Sequence, residues 1–254
     1  MTARRRAITL DVDWAPDFMI DAAAERLVAA GVKSTWFVTH SSPAVERLRT
    51  CSDLFELGIH PNFRPGSSHG EDELQVLDAC LGMVPEAVSV RCHGLLQSSR
   101  LLNLFIERTP LRVCANVFLP GAAGLEVTVY RCKKGGIKQL PFYWEDDVEF
   151  FEPEPAWNPL ARSRDAPGIQ IFNFHPVHVY LNAAGPHALE TLLERCPDLP
   201  AATRTHTEGL VSHADGAGSM FEALVTCIAG DGGGYTVSEL AGESPKVVPR
   251  ASVS

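Results

Sequence analysis

Two carboxylates two residues apart open the chemistry of this chain. Asp11 and Asp13 lie in ITLDVDW, residues 8–14, a short run rich in β-formers. Side chains alternate along a strand, so Thr9, Asp11 and Asp13 share one face and Ile8, Leu10 and Val12 the other. Carboxylates at that spacing stand about 7 Å apart. Burying both as anions is costly unless a cation or strong donors meet them. Two readings fit: a strand end whose aspartates cap the following turn or helix, or a metal site in which one Asp holds the ion and the other takes a proton. Other titratable residues also sit where apolar runs stop: His60 after LFELGI, Arg91 and His93 closing AVSVRCH, His175 after GIQIFNF. Ligand sites in parallel α/β architectures form at the carboxyl ends of strands, so this shared placement says more than any one residue.

The elements that must carry these residues follow from pattern. Strands are expected over 8–14, 32–39, 54–60, 87–93, 111–119 and 168–175, with two further strands or a hairpin over 125–131 and 137–140 around Gly135–Gly136. The last run, GIQIFNFH, is apolar on both faces and reads as buried on both sides. Helices are expected over 18–30, ended by Gly31, then 42–49, 71–81, 95–107, 188–195 and near 220–229. Residues 150–167 carry four prolines and read as a long loop, and from Gly230 onward Gly, Ser and Pro suggest a frayed tail. Strand–helix alternation predicts a mostly parallel α/β sheet or barrel. It forms one domain over 1–229, followed by a partly disordered tail over 230–254.

Composition bounds the function. At 254 residues with 45% hydrophobic and 21% charged residues, the chain is an ordinary globular protein with a substantial core. The net charge of −9 argues against non-specific nucleic-acid or anionic-membrane binding. No apolar run approaches a membrane span, and Arg4–Arg6 leads into an Asp-containing strand instead of a signal peptide's apolar region, so a cytoplasmic protein is expected. The seven cysteines show no CxxC spacing, against structural zinc and for reduced thiols. The position of Cys92 between Arg91 and His93 raises a nucleophilic thiol, which a buried inert cysteine explains as well.

Over about residues 7–181 the chain resembles the polysaccharide deacetylase (NodB-homology) superfamily, carbohydrate esterase family four. TLDVDW, GVKSTWFVT, LGIHPNF…SSHG, VRCHG, PFYWEDD and FNFHPVH carry the resemblance, in the family's order. It implies a distorted (β/α) barrel and metal-dependent hydrolysis of N-acyl groups, mostly on amino sugars. It also implies Asp11 as general base and Asp13, His60 and His69 as metal ligands, with His93 the substitute ligand should His69 fail. Arg91 would ion-pair with the base and His175 act as general acid. His93, standing where the family has Pro, together with Trp144, Asp146 and His178, would serve the substrate side, with Asp147 an alternative to Asp146. A His–His–Asp set suits Zn2+, with Co2+, Ni2+, Mn2+ or Fe2+ as alternatives. The expected function is deacylation, first of all deacetylation, of an amino sugar in a small molecule or lipid-linked precursor. The alternatives are deformylation of a formamido-sugar and a non-catalytic carbohydrate-binding protein on the same fold.

Overall fold

The computed structural model of the chain describes residues 5–159 and 167–243. Among these residues nine strands form one sheet: β1 Arg5–Asp11, β2 Ser34–Val38, β3 Phe55–Ile59, β4 Ser89–Val90, β5 Val113–Cys114, β6 Thr128–Cys132, β7 Gly135–Gln139, β8 Trp144–Glu145 and β9 Ile169–Phe174. Their order is β6-β7-β5-β4-β3-β2-β1-β9-β8, parallel throughout except for the β6–β7 hairpin. The sheet curls into an open, distorted barrel of the expected α/β kind, with helices packed outside it.

Period-two alternation sorts the strands into two faces. Ile8, Leu10, Trp36, Val38, Leu57, Ile59, Phe172 and Phe174 face outward and pack in one core with helices Asp17–Ala30 and Ala217–Gly230. Ala7, Phe37, Val113, Ala115, Phe142, Ile169 and Ile171 form a second, smaller core inside the barrel. Gly58 is required there, since a Cβ would meet Ser89 Oγ at 2.6 Å and the Phe37 ring at 2.8 Å.

Three expectations change. The first strand ends at Asp11, so Asp13 does not continue its pleat: Asp13 and Trp14 take left-handed φ of 41° and 56° on a turn into the first helix. The fourth and fifth strands shrink to two residues each, and His93 opens a 3-10 turn, His93–Leu95. Finally, a further helix, Val237–Ala241, lies within the stretch whose composition suggests a frayed tail. It closes the base of the barrel, with Val237 and Leu240 in its inner core. Buried Glu56 accepts the Ser238 backbone N–H at 2.8 Å and the Ser89 hydroxyl at 2.6 Å, while Thr35 Oγ1 accepts the Val237 N–H at 2.9 Å. Two strands thereby supply the acceptors that the first turn of this helix lacks. The rest of the expected tail and part of the 150–167 loop lie outside the described residues. Among the described residues no helix is long and apolar enough to cross a membrane.

Candidate active site

The residues singled out at strand ends converge at the barrel mouth. Oδ1 of Asp13 lies 3.1 Å from His60 Nε2 and 3.0 Å from His93 Nδ1. The three ligand atoms fall within 4.8 Å of one another. The turn makes this possible: left-handed backbone at Asp13 and Trp14 swings the carboxylate off the strand, and the Trp14 N–H is held by Thr39 Oγ1 at 2.9 Å. A tryptophan at positive φ is strained by about 1–3 kcal/mol, a cost that clusters at functional sites. Its indole stands edge-on to His93 and stacks on His69, with ring centroids 5.3 and 5.6 Å apart. Burial raises the Asp13 pKa, but the facing imidazoles, His60 foremost, outweigh it and hold the carboxylate well below its usual range.

His69 is not in this group. Its Nε2–H donates to the Thr39 carbonyl at 2.6 Å and its Nδ1 accepts the Asn62 backbone N–H at 3.1 Å. One neutral tautomer satisfies both contacts, which leaves no lone pair for an ion. Burial lowers its pKa, in keeping with that neutral form. The long loop after His60 carries His69 behind Trp14, and His93 fills the position expected of it.

Asp11 is buried and accepts Arg91 Nη1 at 3.1 Å through Oδ1 and Asn173 Nδ2 at 2.9 Å through Oδ2. The Arg91 guanidinium is wholly buried between the rings of Phe37 and Phe142, 4.6 and 4.4 Å from their centroids, and its Nε donates to the Ala115 carbonyl at 3.0 Å. Two aromatic faces and a carboxylate justify a cation there. Asp11 also backs the first group, its Oδ1 lying 3.8 Å from His60 Nδ1.

His175 caps the start of helix Pro176–Leu181, and Asp146 begins helix Asp146–Glu149. Asp146 is fully buried; it accepts His175 Nδ1–H at 2.7 Å, the His175 backbone N–H at 2.9 Å, and lies 3.3 Å from His178 Nδ1, one turn further on. His175 Nε2 is left facing Asp13 Oδ2 at 3.6 Å. Burial lowers the His175 pKa, but the Asp146 carboxylate more than offsets it and the ring stays well above the ordinary imidazole value. Asp146 itself is held below the carboxylate range, burial being outweighed by the two imidazoles.

Trp144 does not line an opening. It is 4% exposed, packs on Phe174 at 5.0 Å, and its Nε1–H donates to buried Glu149 at 2.6 Å. Its apolar ring is absorbed by the core on the outer face of the sheet. Cys92 is fully buried and burial raises its thiol pKa, which removes it as a nucleophile. Sequence reasoning passed over Asn173 and Glu145, both buried beside Asp11. An amide inside an apolar run, and the first acid of EDD, carry little signal on their own.

Two comparisons with known proteins find a match for the chain. The model of a family described as WbmS-like polysaccharide deacetylase matches residues 8–192. The crystal structure of WbmS from Bordetella bronchiseptica, described as a polysaccharide deacetylase involved in O-antigen biosynthesis, is 33% identical with a TM-score of 0.72. The alignment covers 89% of this chain and 91% of that one. No curated protein matches the chain.

Proposed function

The chain belongs to the WbmS-like polysaccharide deacetylase family, and from that premise we propose that it is a metal-dependent hydrolase that removes an N-acyl group, first of all acetyl, from an amino sugar. The observation that carries the reading is that a prospective base and a prospective acid reach the same three-residue group. Asp11 stands 3.8 Å from His60, and His175 3.6 Å from Asp13.

One carboxylate oxygen facing two imidazole nitrogens is a donor set suited to Zn2+ or a related divalent ion. Behind it, His60 Nδ1 is turned toward a second carboxylate, as metal-binding imidazoles commonly are. In this reading Asp13, His60 and His93 would hold the ion, and His69 would not. When bound, the ion would polarise the acyl carbonyl and acidify water.

The protein's own groups then divide the proton work. Asp11, ion-paired with Arg91 at 3.1 Å, accepts a proton as water adds to the acyl carbon. His175, kept protonated by Asp146, delivers the proton on Nε2 to the sugar nitrogen as the C–N bond breaks. The products are a free amino sugar and a short carboxylic acid. The O-antigen role given for WbmS favours a precursor of a cell-surface polysaccharide, nucleotide-linked or lipid-linked, as substrate class. A binding protein without turnover gains nothing from both a buried base and a buried acid.

The test is elemental analysis of the purified protein together with acetate release from N-acetylated nucleotide sugars, using Asp11→Asn as control. The expected result is about one metal equivalent in both proteins, with hydrolysis by the variant at least about 100-fold slower. Undiminished turnover by Asp11→Asn, or a protein that takes up no metal, overturns the reading.

A further inference from the structure

Thr9, Asn173 and Glu145 lie at one level across three adjacent strands, because β9 pairs Asn173 with Thr9 on one side and with Glu145 on the other. All three are buried. Asn173 shares the inward phase of Ile169 and Ile171, so its side chain enters the barrel beneath Asp11.

There the amide is saturated. One N–H goes to Asp11 Oδ2 at 2.9 Å and the other to Glu145 Oε1 at 2.8 Å. Its oxygen accepts Thr9 Oγ1–H at 2.8 Å and an Arg91 N–H. Two donors and two lone pairs are thus all used. The orientation is also forced. Rotating the amide by half a turn would aim its oxygen at two carboxyl groups and its NH2 at a guanidinium.

We propose that Asn173 is a positioning residue for Asp11, and that Glu145 holds Asn173 in the orientation this requires. The inference rests on the reading of Asp11 as general base. With Arg91 on Oδ1 and Asn173 on Oδ2, the carboxylate plane of Asp11 is fixed from both sides. Without Asn173 it is gripped on one side only and can turn. A displacement of about 1 Å at a reacting group costs up to about 100-fold in rate. Glu145 acts through its acceptor oxygen. Burial and the nearby Asp147 carboxylate push its pKa up to about 8, so near neutrality it meets Asn173 largely as a neutral carbonyl, which glutamine reproduces.

The experiment measures kcat and KM for acetate release, with metal equivalents and melting temperature, in Asn173→Ala, Glu145→Ala and Glu145→Gln beside Asp11→Asn. Expected are a fall in kcat of about 10–100-fold for Asn173→Ala with KM within about threefold, a fall of about tenfold for Glu145→Ala, and recovery to within about threefold of wild type for Glu145→Gln. Metal content should be unchanged in all of them. Asn173→Ala with wild-type kcat, or Glu145→Gln as impaired as Glu145→Ala, overturns the proposal. If Asn173→Ala fails to fold, the Glu145 pair decides. An inactive Asp11→Asn beside unimpaired Asn173 and Glu145 variants sinks this inference alone, whereas an active Asp11→Asn sinks the base assignment itself.

Discussion

Asp146 grips His175 twice, taking its ring Nδ1–H on one carboxylate oxygen and its backbone N–H on the other. The contact fixes ring orientation, tautomer and charge together. Because the carboxylate raises the His175 pKa, the protonated form should persist above the pH at which an ordinary imidazole loses its proton, placing the alkaline limb of kcat/KM correspondingly high. Asp146→Asn removes the main raising interaction, so that limb should move to lower pH and kcat fall by about 100-fold or more. A pH–rate profile of the two proteins checks this, and an unmoved limb counts against His175 as the acid.

His93 and His69 should part company on substitution. His93→Ala removes one of three converging ligand atoms, and metal affinity should drop by more than the roughly 10–100-fold typical of losing an outer hydrogen-bond partner. His69→Ala should keep its metal equivalent yet lose about 1–3 kcal/mol of stability, since the Thr39 carbonyl and Asn62 N–H lose their partner. Metal titration and thermal melts of both variants separate the two roles.

Glu145 should give stability a pH dependence of unusual sign for a carboxyl group. Its folded pKa, about 8, lies above the ordinary 4.5. The native state therefore holds a proton that the unfolded chain has released, and this contribution is complete below about pH 4.5 and lost as pH rises through about 8. Glu145→Gln lacks that loss. Its melting temperature relative to wild type should climb between about pH 5 and about pH 9, by the equivalent of about 1–3 kcal/mol. A gap that stays constant with pH refutes it.

The closing helix should behave as core. Leu240 is 8% exposed and packs with Val237 inside the barrel, so Leu240→Ala should cost about 2 kcal/mol or more in denaturant unfolding. A dispensable tail would show no change.

Much of this was legible in the sequence wherever one short-range pattern decides the outcome. The first helix is found within one residue of its expected start because apolar periodicity and Gly31 bound it. Asp11, Arg91 and His175 meet as expected because each ends a run that the sheet gathers at one mouth. What was not legible depends on contacts far apart in the chain. Nothing local says that the loop after His60 takes His69 behind Trp14, or that His93 is brought to Asp13, 80 residues away in sequence. Asn173 gave no sign because its four partners come from β1, from β8 and from Arg91 just past the end of β4. The helix at Val237 was hidden by the glycines before it, which look like fraying until Glu56 and Thr35 are seen to receive it.

That helix has a consequence for how the chain must be made. Strand β1 finds its β9 neighbour only once residues 169–174 have been synthesised, and the barrel receives its base only when residues 237–241 have arrived. During translation the inner apolar surfaces of Phe37 and Ala115 therefore stay without that cover until residues 237–241 have emerged from the ribosome, and the uncovered intermediate is the one most exposed to aggregation.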